Sequence, residues 1–129
     1  MGGKSENSLL QGLTLVVPSY SRQEFLLRLL HFWRNQSVRV VALDGSSCRL
    51  PAPVVDEVGG SVTYLHNEGG LYDRLGLALE CIETKYVALA GDDEFYLPSA
   101  LRASVSFLES HPDHVSCLGR AVGFGCEDS

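Results

Sequence analysis

Four short apolar runs, most of them separated by a stretch long enough for a helix, constrain this chain more than any other feature. They are Leu13-Thr14-Leu15-Val16-Val17, Val38-Arg39-Val40-Val41-Ala42-Leu43, Val62-Thr63-Tyr64-Leu65-His66 and the segment from Lys85 to Ala90. Each is rich in β-branched or other apolar residues and is bounded by turn formers, the pattern of buried strands. Between and after them, apolar residues recur at helical spacing. Leu26, Leu29, Leu30 and Trp33 form one stripe, and Leu71, Leu75, Ala78, Leu79 and Ile82 a second. Leu101, Val105 and Leu108, behind Pro98, form a third. Pro98 suits the first turn of a helix. Ser21-Arg22-Gln23-Glu24 matches a capping box at the start of the first helix. Cys48 to Gly60 holds one helical turn or two at Val54–Val58, and Val115–Leu118 reads as the opening of a fifth strand. This alternation predicts an α/β fold, Rossmann-like, with a mostly parallel sheet and right-handed crossovers. One domain over 13–124 is expected, with flexible ends at 1–12 and 125–129.

The formal charge of −6 argues against nucleic acid as a partner, since a phosphate-backbone binder needs a basic face. It leaves room for a nucleotide, because a metal ion can mediate between carboxylates and phosphates. The longest apolar runs fall far short of the roughly 20 residues of a membrane span. The polar start Met1-Gly2-Gly3-Lys4 has no secretory core, so a cytoplasmic location is expected. Glu6 stands where N-myristoylation wants Ser or Thr. The cysteines show no C-x-x-C pair, and Cys81 and Cys117 read as buried free thiols. Neither they nor the histidines show zinc-ligand spacing.

In parallel sheets, ligands bind beyond the carboxyl ends of the strands. Here those ends carry Pro18-Ser19-Tyr20-Ser21-Arg22, then Asp44-Gly45-Ser46-Ser47, then Gly91-Asp92-Asp93-Glu94. Three crowded acids must stay hydrated or find a cation, and Mg²⁺ takes one or two carboxylates plus substrate phosphates. Plainer accounts exist for most of these residues. Pro18 can be a strand stop, Ser21 and Glu24 a helix cap, Asp44 an Asx turn, and the acids a solvated turn. Arg22 and Arg74 can be solvated helix residues. The dinucleotide fingerprint, the P-loop and the nucleophile elbow are all absent.

Leu15-Val16-Val17-Pro18-Ser19-Tyr20-Ser21-Arg22 resembles the opening of the family-2 glycosyltransferases with the GT-A fold. Val40 to Ser47 is similar to their second strand and its Asp-Gly-Ser turn. Lys85 to Glu94 looks like the strand that delivers their D-x-D motif. Phe95-Tyr96-Leu97-Pro98 resembles the segment that leads from that motif into a Pro-led helix. The likeness spans about residues 13 to 124.

The resemblance implies transfer of a sugar from a nucleotide-sugar donor to an acceptor (glycan, lipid or protein), metal-dependent and inverting. It implies donor contacts from Pro18, Ser19, Tyr20, Arg22, Asp44, Arg74 and Asp92. It assigns Mn²⁺ or Mg²⁺ to Asp92, Asp93 and Glu94. Asp44 would accept a hydrogen bond from the imide N–H of the base. Glu94, in the last place of the motif, departs from the family pattern. The family's general base lies later than Ser129, so the resemblance implies the donor-binding half, with the catalytic base unassigned. The rival reading is a non-catalytic or truncated nucleotide-sugar-binding module.

Overall fold

The computed structural model describes residues 6–125. The helix α1 (Glu6–Gln11) leads into β1 (Leu13–Ser19), followed by α2 (Gln23–Trp33), β2 (Arg39–Asp44) and α3 (Ala52–Glu57). Then come β3 (Val62–His66), α4 (Leu71–Cys81), β4 (Tyr86–Leu89) and α5 (Pro98–Ser110). The four strands form one all-parallel sheet in the order β3-β2-β1-β4. The chain therefore moves outward from β1 to β3, then returns to the other side of β1. The strand order reverses between β1 and β4, and in open α/β sheets that is where a crevice forms at the carboxyl ends.

Alternation along β1 sends successive side chains to opposite faces. Leu13, Leu15 and Val17 join Leu26, Leu29, Leu30 and Trp33 of α2, Leu101 and Val105 of α5, and Leu10 of α1 in the larger core. Val16 faces the other way and meets Val41, Leu43 and Ala78 of α4. The α2 stripe lies on the sheet at the residues its periodicity predicts. Burying side chains of this size contributes roughly 1.5–3 kcal/mol each, which is why the stripes dictate the packing.

Several expectations are corrected. Pro18 does not stop β1, which runs on to Ser19 with Pro18 in register with Leu43. Val16 O accepts from Ala90 N and Ser19 O from Gly45 N, so even positions of β1 face β4 and odd positions face β2. Pro18 thus turns its missing N–H toward β4 beyond the last pair, Val16 with Leu89, where no ladder bond is lost. The capping box does not form. Ser21 has φ 55°, its N–H goes to Ser46 Oγ (2.9 Å), and α2 starts only at Gln23 with Arg22 as an N-cap whose side chain makes no capping bond. The cross-link between the two turns takes the backbone donor that a cap would have used.

Val115–Leu118 is exposed irregular chain, not a strand. Cys117 is exposed and Cys81 half-buried, though both are free thiols. Glu6–Gln11, inside the segment expected to be flexible, is helical and packs against α5, with Leu10 in the core. Cys126 to Ser129 lie outside the described residues. Among the described residues, no helix is long and apolar enough to cross a membrane.

Candidate functional site

The three polar turns meet at Ser19. Its carbonyl accepts the Gly45 N–H (2.8 Å), tying β1 to the β2 turn, and its hydroxyl donates to Asp92 Oδ2 (2.9 Å), tying β1 to the β4 turn. Two further bonds reinforce this rim. Asn67 N donates to Asp44 O (2.9 Å), and His66 Nε2 donates to Ser46 O (2.7 Å), so the end of β3 joins as well.

Asp44 is fully buried at the end of β2. Its Oδ1 accepts from Ser46 N (2.9 Å), and its Oδ2 accepts from Tyr64 Oη (2.5 Å) and Gln23 Nε2 (2.9 Å). Burial pushes the carboxyl up, but donors from Ser46, Tyr64 and Gln23 outweigh it and hold the group below its ordinary value. Tyr64 responds in the opposite sense. Burial, together with the bond to Asp44, raises its phenol to about 12. The Tyr64 hydroxyl also accepts the Leu50 N–H (3.0 Å), fastening the loop after β2 to β3.

Beside Asp44, Arg74 of α4 is only 7% exposed. Its Nη1 donates to Gly69 O (2.5 Å), while its Nε is buried without a hydrogen-bond partner. The guanidinium packs so closely on Gly45 that a Cβ there would collide with it. Glycine at 45 is what allows a buried cation to sit on this turn.

Asp92, 3% exposed, is held by Ser19 and by a bidentate fork from Arg22, whose Nε reaches Oδ2 (3.1 Å) and whose Nη2 reaches Oδ1. The Asp92 bond and charge raise the already high pKa of Arg22. Asp93 is 54% exposed, with Oδ2 3.6 Å from Arg22 Nη2. Glu94 bends back to accept the Gly91 N–H (3.2 Å).

Among the described residues, no three His, Cys, Asp or Glu groups converge to cage a metal ion. Both Asp92 oxygens already serve protein donors and the residue is 3% exposed, so it is less open to a metal ion than its neighbour. Asp93 fits, since its carboxylate is open, and Glu94 lies beside it. This matches the Mg²⁺ mode of one or two carboxylates completed by phosphates.

Of the residues singled out from sequence, the rim gathers Ser19, Arg22, Asp44, Arg74, Asp92 and Asp93. Tyr20 stands at its edge, 67% exposed, and Pro18 contributes strand geometry. Sequence reasoning missed Gln23, Ser46, Tyr64 and His66. Tyr64 and His66 occupy alternate positions near the end of a predicted strand, a signal that β3 could add side chains to the Asp44 turn. A groove of about 440 Å³ lined by Thr14, Arg39, Ser61 and Cys81 lies toward the amino ends of the strands, away from this rim.

The family model described as glycosyl transferase family 2 matches residues 14–129. No match was found among curated proteins.

Proposed function

Because the chain belongs to glycosyl transferase family 2, we propose that its rim binds a nucleotide-sugar and that the domain serves transfer of that sugar to an acceptor hydroxyl with inversion. The observation that carries the reading is the meeting of three turns at Ser19. A buried carboxylate and a buried arginine with a spare N–H lie on one side, and an acidic turn on the other. A nucleoside diphosphate needs a polar partner for its base and positive charge for its phosphates, and this rim offers both.

In this reading Asp44 accepts a donor group of the base, held for the task by Ser46 and Tyr64. Arg74 places positive charge beside it. Asp92 acts as a positioning residue, fixing the Arg22 guanidinium so that its remaining N–H groups face the diphosphate. Tyr20 covers the nucleoside from the edge, with Pro18 shaping the strand end beneath. Asp93, with Glu94, would hold Mn²⁺ or Mg²⁺ against the phosphates, and the ion would neutralise charge building on the leaving nucleoside diphosphate. Fixed positive groups at a developing charge stabilise the transition state without reorganising at the moment of reaction.

Titration calorimetry with nucleoside diphosphates, with and without Mn²⁺, tests the reading. It expects metal-enhanced binding that falls in Asp93→Ala. Donor hydrolysis or transfer then separates an enzyme from a binding module that keeps the same contacts. Absence of binding to any nucleoside diphosphate overturns the proposal.

A further inference from the structure

Gln23 makes a bond pattern that the fold does not require. Its Nε2 donates to Asp44 Oδ2 (2.9 Å) and to the Cys48 carbonyl (2.7 Å). One amide group therefore spans two acceptors with both of its hydrogens. On the other flank of the same turn, the Arg74 guanidinium lies against Gly45 with its buried Nε unpartnered. In order, the turn offers acceptor, acceptor and cation. Gln23 is only half-buried and comes from the first turn of α2, so its amide can swing aside without unpacking the core.

Resting on the nucleotide-sugar reading above, we infer that the donor base this turn selects is guanine. Guanine carries adjacent donors, N1–H and N2–H₂, and beside them the O6 and N7 acceptors that arginine commonly reads. N1–H goes to Asp44, N2–H₂ replaces the Gln23 amide on the Cys48 carbonyl, and O6 faces Arg74. Uracil has a single donor, N3–H, between two carbonyls. With N3–H on Asp44, one uracil carbonyl faces Arg74 and the other meets the Cys48 carbonyl, acceptor against acceptor. Adenine turns its N1 lone pair toward the Asp44 carboxylate. A site built to satisfy particular donors rejects analogues that leave its buried groups unpaired. Gln23 is thus a specificity residue that fills the base position in the free protein.

Titration calorimetry on the chain with GDP, IDP, UDP and ADP, in one buffer with Mg²⁺, tests this. GDP binds tightest, and UDP and ADP bind at least about tenfold more weakly, as expected for loss of a paired base contact. IDP, which keeps N1–H and lacks the 2-amino group, falls between, about three- to tenfold weaker than GDP for one neutral hydrogen bond. Gln23→Ala frees both acceptors and tightens GDP binding. UDP binding as tight as GDP overturns the base assignment while leaving the nucleotide site standing. IDP matching GDP, or weaker GDP binding by Gln23→Ala, overturns the contact at Cys48. Failure of all four nucleotides to bind overturns this inference together with the reading it rests on.

Discussion

Replacing Tyr64 with phenylalanine removes one oxygen atom and tests how the Asp44 turn is held. The hydroxyl donates to Asp44 Oδ2 at 2.5 Å and accepts the Leu50 N–H at 3.0 Å, all three residues being buried. A hydrogen bond to a charged group contributes about 1.5–3 kcal/mol, and a backbone N–H left unpaired costs about 1 more, so Tyr64→Phe should destabilise the fold by about 2.5–4 kcal/mol at neutral pH. The sign of the pH dependence is set by Asp44. Its folded pKa is depressed, so its contribution is present above the ordinary carboxyl range and fades as pH falls through the folded value. Phenylalanine removes one of the donors that depress it, so the folded pKa of the variant rises. The wild-type advantage should therefore narrow as pH falls below the ordinary carboxyl range, because Asp44 takes up its proton earlier in the variant. Urea denaturation of both proteins across this range reads the difference directly. A gap under about 0.5 kcal/mol at pH 7, the size of an ordinary surface change, would refute the claim that the phenol anchors the turn, as would a gap that does not depend on pH.

The same bond makes a spectroscopic prediction: one of the five tyrosines should ionise near pH 12, because burial and Asp44 raise Tyr64. Ultraviolet titration should lose that late phase in Tyr64→Phe. Gly45→Ala forces a Cβ into the Arg74 guanidinium, so nucleoside diphosphate affinity should fall by about tenfold or more, the size of one lost charge-assisted contact. Unchanged calorimetric affinity would remove Arg74 from the site. Asp93→Ala, at an exposed position, should leave thermal stability within about 0.5 kcal/mol of wild type while abolishing the metal-dependent part of nucleotide binding.

The fold was legible because β1, β2 and α2 bury recognisable stripes, although Leu71 and Leu79 of α4 and Val87 and Leu89 of β4, which the patterns place inside, are exposed. Leu26, Leu29, Leu30 and Trp33 announce α2 by spacing, and the β-branched runs announce the strands. The outline of the rim was legible for the same reason, since strand ends in a parallel sheet share one edge. What spacing does not encode is how a turn satisfies its own polar groups. Ser21 and Glu24 satisfy the local capping pattern, yet Ser21 gives its N–H to Ser46, 25 residues away. A long-range bond overrides a local one without leaving a periodic trace. Val115–Leu118 has strand-like composition, but a strand needs a neighbour's edge, and among the described residues this segment has none. Adjacency in sequence likewise does not tell Asp92 from Asp93. Asp92 is buried under Arg22 and Ser19 while Asp93 faces solvent, and one residue along a tight turn makes that difference.

Backbone amide shifts recorded by ¹⁵N NMR during titration with GDP and Mg²⁺ probe the whole rim at once. The largest changes should fall on Ser19, Ser21, Gly45, Ser46 and the stretch from Gly91 to Asp93, saturating together at one concentration. Shifts confined to other surfaces, such as the groove near Thr14 and Ser61, or changes in the Asp44 turn that do not track those at Asp92, would contradict a single shared pocket.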